Sequence, residues 1–539
     1  MIRFAPVGRV ATAGLVALVV TALVAATWSV PSSAQELDLG FLTTRAEATD
    51  YEQTTRYDEA VALMEAAATQ SDLLHLTHFG YSVEGRALPL AIWGVEDPSV
   101  DALQDDPRLR VFVQANIHAG EVCGKEAMLA LIRDLAAGSH DAWLESVILL
   151  IAPIYNADGN ERVDLYNRPR QWGPVGGMGQ RPNARDLDLN RDHMKVASPE
   201  ARSLIGLMNR YDPHVLVDLH TTNGTQHGYH LTYSPPLNPN THPAIDSLLR
   251  DELLPSVTET IRARYGWDFY YYGNLPFRNA EPGWYTFDHR PRFNNNYVGL
   301  RNRVAILSEA YSYASFRDRV LATRAFVEEI ITYAAENAAV VRGVIEEAES
   351  DSLPGSSFAV QAAFQRSAEP VDIILGGTER IRNPYSGAVM LAMTEERRVE
   401  RMYEYGAFQA TESVTLPAAY LIPERLSAVL NLLDDHGIVM TSQASGFEGA
   451  EAFAIDSTHV AERPFQGVQE RALFGSWHKA EPPGSQGGWV RVDLAQPLGR
   501  LAAYLLEPRS DDGVVNWGIL DEALEGADTY PILRLPLSP

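Results

Sequence analysis

Short, almost wholly apolar runs alternate with longer amphipathic stretches through the first two thirds of this chain. The segment from Leu109 to Ile117 predicts a strand, and Glu121 to Ala137, with apolar positions at helical spacing, predicts a helix. The run from Ser146 to Pro153 carries hardly a polar residue and predicts a strand buried on both faces. Ser198 to Tyr211 opens Ser-Pro-Glu, a good helix start. His214 to Leu219 and Arg303 to Leu307 predict two further buried strands, and Phe316 to about Glu346 one long helix. Strands alternating with helices imply an α/β fold: a mixed, largely parallel sheet flanked by helices.

The texture changes after Ser350. Residues 350–357, rich in Ser, Pro and Gly, predict a linker between an α/β domain (35–349) and a smaller β-rich C-terminal domain (358–539). Short strands are expected at Val371–Leu375 and Trp489–Leu494, and a helix near Glu424–Leu433. No fixed-period repeat is visible. At the other end, Arg3 and Arg9 precede an apolar run from Ala11 to Ala26 and the small residues Ser32 and Ala34. This is the pattern of a signal peptide over residues 1–34, cleaved before Gln35. The run is short for a membrane span, so the expectation is an exported protein, periplasmic or extracellular, with no stable membrane insertion after processing. Export permits disulfides, but Cys123 is the only cysteine and is expected to be a buried thiol. A net charge of −26 argues against nucleic acid as a partner, because phosphates would be repelled.

Four groups of residues carry candidate chemistry. His118-Ala-Gly-Glu121 joins a strand end to a helix start, with Gly120 expected to allow the sharp turn, so that both side chains can face one cation. Asp218-Leu-His220 ends a second buried strand, and ligands in parallel sheets gather beyond the carboxyl ends of the strands. Two histidines and one carboxylate are the donor set of a catalytic zinc site. Glu309 ends another apolar strand, where a carboxylate must be solvated at a cleft or paired. The irregular stretch from Asn156 to Arg191 concentrates arginines, suited to gripping a substrate carboxylate or equally to a surface ion-pair network.

In order, His-x-x-Glu, Asn156-x-Asp-Gly159, Asp188-Leu-Asn-Arg191, a strand-ending His and a late strand-ending Glu resemble the carboxypeptidase A-like zinc metallocarboxypeptidases, over roughly Tyr51 to Glu346. The resemblance implies one zinc ion held by His118, Glu121 and His220, with Glu309 as general base and acid. It implies that Asn190 and Arg191 hold the substrate's terminal carboxylate and that Asp188 orients the first zinc histidine. An arginine should polarise the scissile carbonyl; Arg181 fits best, with Arg168 and Arg170 as alternatives. Tyr285 and Tyr297 are the candidates for a substrate-capping tyrosine. The chain departs from the family pattern at Asp192, after Asn190-Arg191, and at Thr221-Thr222, after His220. The glycine-rich stretch Gly173–Gly179 is expected to form a flexible rim. The implied substrate is a peptide or acylated amino acid with a free carboxylate. The rival readings are a zinc amidase or deacylase on the same scaffold and, in another class, an inactive peptide-binding protein.

Overall fold

The computed structural model describes residues 42–222, 224–276, 280–444, 447–480 and 488–537. The expected signal segment and its cleavage point lie outside them. No helix among the described residues is long and apolar enough to cross a membrane. The first part of the chain builds an eight-stranded sheet from β1 (Leu74–Tyr81), β2 (Ala87–Trp93), β3 (Leu109–Ala115), β4 (Val147–Ala152), β5 (Val215–Thr221), β6 (Leu231–Ser234), β7 (Phe269–Tyr271) and β9 (Val304–Ala310). The two-residue β8 (Trp284–Tyr285) pairs elsewhere. The order is β1-β2-β4-β3-β5-β9-β6-β7, and its centre, β4-β3-β5-β9, is parallel. Every residue of β3, β4 and β5 is buried, as continuous apolar runs covered on both faces require. The helix Cys123–Ala136 packs against Phe316–Glu336.

Boundaries shift where local chemistry intervenes. Strand β3 stops two residues before Ile117 because Asn116 takes a left-handed backbone, φ 64°. The helix expected from Glu121 begins at Cys123, which leaves Glu121 in the turn before it. Ser198 caps the helix Pro199–Tyr211 by accepting from the Ala201 N–H at 3.1 Å. The single long helix expected after Phe316 is two, Phe316–Glu336 and Ala338–Ser350, broken at Asn337 where φ is −119° and ψ 28°.

The remainder is β-rich. β10 (Ser357–Gln365) pairs with β14 (Ala407–Thr415), and β11 (Val371–Arg382) and β12 (Val389–Met402) form a long hairpin. β13 (Glu404–Tyr405) runs parallel to β8 and so ties the two parts together. A six-stranded antiparallel sheet follows, with β15 (Ala419–Pro423), β16 (Thr441–Gln443), β17 (Glu451–Val460), β18 (Arg471–Lys479), β19 (Trp489–Asp493) and β20 (Leu533–Leu535) in the order β16-β19-β15-β20-β17-β18. The expected helix lies at Ser427–His436. One apolar cluster runs through both parts, from Ala46 to Ile532. The expected linker is packed rather than free: Leu353 is buried, and Asp351 pairs with Arg500 at 2.9 Å. The β11–β12 hairpin lies on the α/β part through Gly228 N–H to Ile374 O (2.8 Å) and Met393 N–H to Tyr313 O (2.7 Å).

Burial holds three histidines neutral. His214, His227 and His436 are each pushed down to about 3, with desolvation the leading cause. His436 accepts from the Tyr297 hydroxyl (2.8 Å) and donates to Met194 O (3.2 Å), both bonds that suit the neutral ring. The unfolded chain protonates these rings near pH 6.5, whereas the folded chain does not until about pH 3. Between those values the unfolded state binds more protons, so stability is lost as pH falls. Scanning calorimetry from pH 7 to pH 4 should give a steadily falling Tm, with a shallower slope in a His436→Gln variant.

Candidate metal centre

Strands β3, β5 and β9 are parallel neighbours, so their carboxyl ends share one edge of the sheet. The chain leaves β3 through Asn116 and turns at once, with the Glu121 N–H donating to His118 O at 2.8 Å. Gly120 does not use glycine's left-handed freedom here; the constraint is space. A Cβ at Gly120 would lie 2.8 Å from Gly179 O and 3.0 Å from Arg168 Cδ. The glycine-rich stretch is therefore not a loose rim. Its last residue, Gly179, presses against Ala119 and Gly159 where no side chain fits, and Ala119 N–H donates to Gln180 O at 3.1 Å. Together these contacts fix the turn that carries His118 and Glu121.

His220 lies in β5, in register with Glu309 on β9. His118, Glu121 and His220 are all buried, and one donor atom from each lies within 4.8 Å of the others. His118 Nδ1 is 3.0 Å from Glu121 Oε1 and His220 Nδ1 is 2.9 Å from Glu121 Oε2. The far nitrogens are clamped: His118 Nε2 donates to Asp188 Oδ1 at 3.0 Å and His220 Nε2 to Asp218 Oδ2 at 2.9 Å. Burial opposes charge on His220, but Asp218 and Glu121 outweigh it and hold the ring well above its usual range; a cation that displaces the inner proton would meet Nδ1 on each ring while Nε2 stays on its aspartate. The two Nδ1 atoms face each other at 3.2 Å. Burial opposes charge on Glu121, but Arg168 and His118 outweigh it and hold the carboxyl well below its usual range. Two lone pairs and one carboxylate, converging in a buried space, fit a divalent cation with nitrogen and oxygen ligands.

Asp188 was assigned its orienting role from the resemblance. Asp218 was not, although the signal was present. Residues two apart on a strand share a face, which places Asp218 beside His220. The arginines separate in space. Arg168, with a left-handed backbone of φ 51°, hydrogen-bonds Glu121 Oε1 through Nη2. Arg181 lies 3.4 Å from His118 Nδ1 through Nη1 and is held by Asp188 Oδ2 at 2.8 Å. Arg170 is exposed and makes no contact with the three donors.

Beside the donors is a cleft of about 330 Å³, lined by Glu309, Arg181, Asn190, Arg191, Tyr272 and Phe293 among others. Glu309 is half-buried at its wall, and its Oε2 is buried with no partner among the described residues. Burial pushes its carboxyl up to about 8; Glu121 adds to the rise, while His220 and the two arginines oppose it. Asn190 accepts from the Asn294 N–H at 2.9 Å, and the Arg191 guanidinium lies 3.8 Å over the Phe293 ring. Neither expected capping tyrosine reaches this cleft. Tyr297 is buried against His436 and Arg301. Tyr285 stacks on Tyr405 with ring centroids 4.0 Å apart. Tyr272 is there instead, accepting from Asn274 Nδ2 at 3.1 Å; burial and then the Glu309 charge push its hydroxyl well up. It follows Tyr270 and Tyr271 in a run of tyrosines that the strand β7 ends within, so nothing in the sequence singled it out.

Residues 60–273 match the family model described as zinc carboxypeptidase. That stretch, which holds His118, Glu121, Arg181, Asn190, Arg191 and His220, is similar to zinc carboxypeptidases. The chain is similar to "Carboxypeptidase 2" of Trichophyton equinum, 25% identical over 480 residues that cover 84% of this chain and 81% of the relative. The protein of the same name from Trichophyton rubrum is 25% identical over 511 residues, 89% of this chain and 86% of the relative. "Probable carboxypeptidase 2" of Arthroderma benhamiae is 35% identical over 141 residues, 26% of this chain and 24% of the relative.

Removing the carboxylate behind His220 should loosen a bound metal without abolishing the fold. Asp218→Ala is expected to weaken zinc binding about 10- to 100-fold, read by competition with a chelating dye.

Proposed function

We propose that the protein is an exported, single-zinc carboxypeptidase that removes residues from the free carboxyl ends of peptides. The observation that carries this reading is the pair of inward-facing Nδ1 atoms, each ring fixed by its own aspartate, meeting the Glu121 carboxylate beside Glu309, the strand partner of His220. His118, Glu121 and His220 would hold the ion. Zinc bound there supplies Lewis acidity, which makes water a better acid and polarises a carbonyl. Glu309, with Oε2 unpartnered at the cleft wall, takes the proton of the attacking water and returns it to the leaving amine. Arg181, already between Asp188 and the donor cluster, faces the developing oxyanion. Asn190 and Arg191 grip the terminal carboxylate, so that binding far from the scissile bond is converted into orientation. Tyr272 closes the cleft beside Glu309. The names of the fungal relatives and the family match favour a peptidase over an amidase, and the complete donor set with its base weighs against an inactive binder. Export rests on the N-terminal signal pattern.

Chelation should abolish cleavage of a peptide library followed by mass spectrometry, and zinc should restore it. Peptides with free carboxyl ends should shorten stepwise, while their C-terminally amidated counterparts should remain intact; cleavage of both sets alike would reject the carboxypeptidase reading. Glu309→Gln should keep its zinc and lose at least about 10²-fold in kcat.

A further inference from the structure

We infer that the β-rich C-terminal part fastens the substrate-carboxylate grip from outside, with Gln466 and Asp512 as positioning residues. The inference rests on the reading of Asn190 and Arg191 as that grip.

Gln466 occupies the turn between β17 and β18. Its Oε1 accepts from the backbone N–H of Asp188 at 2.8 Å. Asp188 is a hub: its Oδ1 takes His118 Nε2 and the Asn190 N–H, each at 3.0 Å, and its Oδ2 takes Arg181. Gln466 thus pins the first residue of the Asp188–Arg191 segment. The turn itself is unusual. Phe465 and Val468 exchange both backbone bonds, at 2.8 and 3.0 Å, around Gln466 (φ 49°) and Gly467 (φ 80°). Two positive φ values in a tight hairpin favour Asn-Gly or Gly-Gly. A glutamine there gives up conformational ease, and the contact its side chain makes is the one to Asp188.

The second fastening holds the segment beneath Arg191. Arg292 is fully buried, and Asp512 accepts from its backbone N–H at 2.6 Å and from its Nε at 2.8 Å. Glu470 and Asn516 accept from Nη2 at 2.9 and 3.1 Å, and Phe465 and Trp517 both stack on the guanidinium. All of these partners belong to the β-rich C-terminal part, beyond residue 357. Phe293, the next residue, lines the cleft and lies under the Arg191 guanidinium, and the Asn294 backbone N–H donates to the Asn190 side-chain Oδ1. Charge-assisted bonds in a buried setting hold Arg292 rigidly, and that rigidity passes through two peptide bonds to both grip residues.

The test uses the full zinc-loaded chain and an N-acylated dipeptide with a free carboxylate. Gln466→Ala and Gln466→Met, which lose the acceptor, should raise KM about three- to tenfold, with kcat within about twofold and zinc content unchanged. Gln466→Glu keeps an acceptor oxygen and should restore KM. Asp512→Asn should also raise KM, with a lower Tm. Arg191→Ala is the reference. If it leaves KM unchanged, the grip reading falls and the inference with it. If it raises KM while the Gln466 variants do not, the inference alone is overturned. A loss of kcat and zinc with unchanged KM, or loss of folded protein in every Gln466 variant, overturns it as well.

Discussion

The architecture answers to one constraint: two imidazoles and a carboxylate must be held in a buried place with one donor atom of each turned to a single point. Asp188 and Asp218 do this by claiming the outer ring nitrogens. Each aspartate is supported by a different part of the fold. Asp218 sits within the central strand β5, where the ladder to β3 and β9 fixes it. Asp188 sits in an irregular segment and depends on Arg181, Asn190 and Gln466 for its place. The rigid sheet thus holds one ligand and a network of side chains holds the other. That division explains why so many arginines, glycines and buried asparagines crowd the second ligand's neighbourhood.

Much of this was legible before the structure. The strands that carry the chemistry are continuous apolar runs, and such runs read plainly because burial on both faces leaves no polar alternation to confuse them. The three ligands and Glu309 were readable for a related reason, since each ends such a run or follows one closely. What escaped was set by contacts distant in sequence. Tyr272 rather than Tyr285 or Tyr297 reaches the cleft because the pairing of β8 with β13 draws Tyr285 onto Tyr405, and His436 holds Tyr297 in the core. No local pattern encodes either event. Gly120 and Gly179 were noticeable as glycines, but the reason for them is crowding by groups far along the chain.

The β-rich last third of the chain was the least readable. Its short strands and turns gave a β-rich character without an arrangement, and the Ser-Pro-Gly stretch at 350–357 suggested separation. The structure has continuity instead, with a shared apolar cluster and strand pairing across the boundary. A linker composition indicates that a segment lacks a regular element, not that it lacks neighbours: Leu353 and Asp351 are both engaged.

The bond between Arg292 and Asp512 spans 220 residues of sequence. Contacts of such separation form late, because a long loop must close before they can be made. In a chain made from its amino end, His118, Glu121 and His220 are all synthesised long before Asp512, which holds Arg292 beside the cleft. Assembly of the site is therefore coupled to completion of the polypeptide, and a nascent or prematurely terminated product that stops short of Asp512 carries the ligands without their finished enclosure.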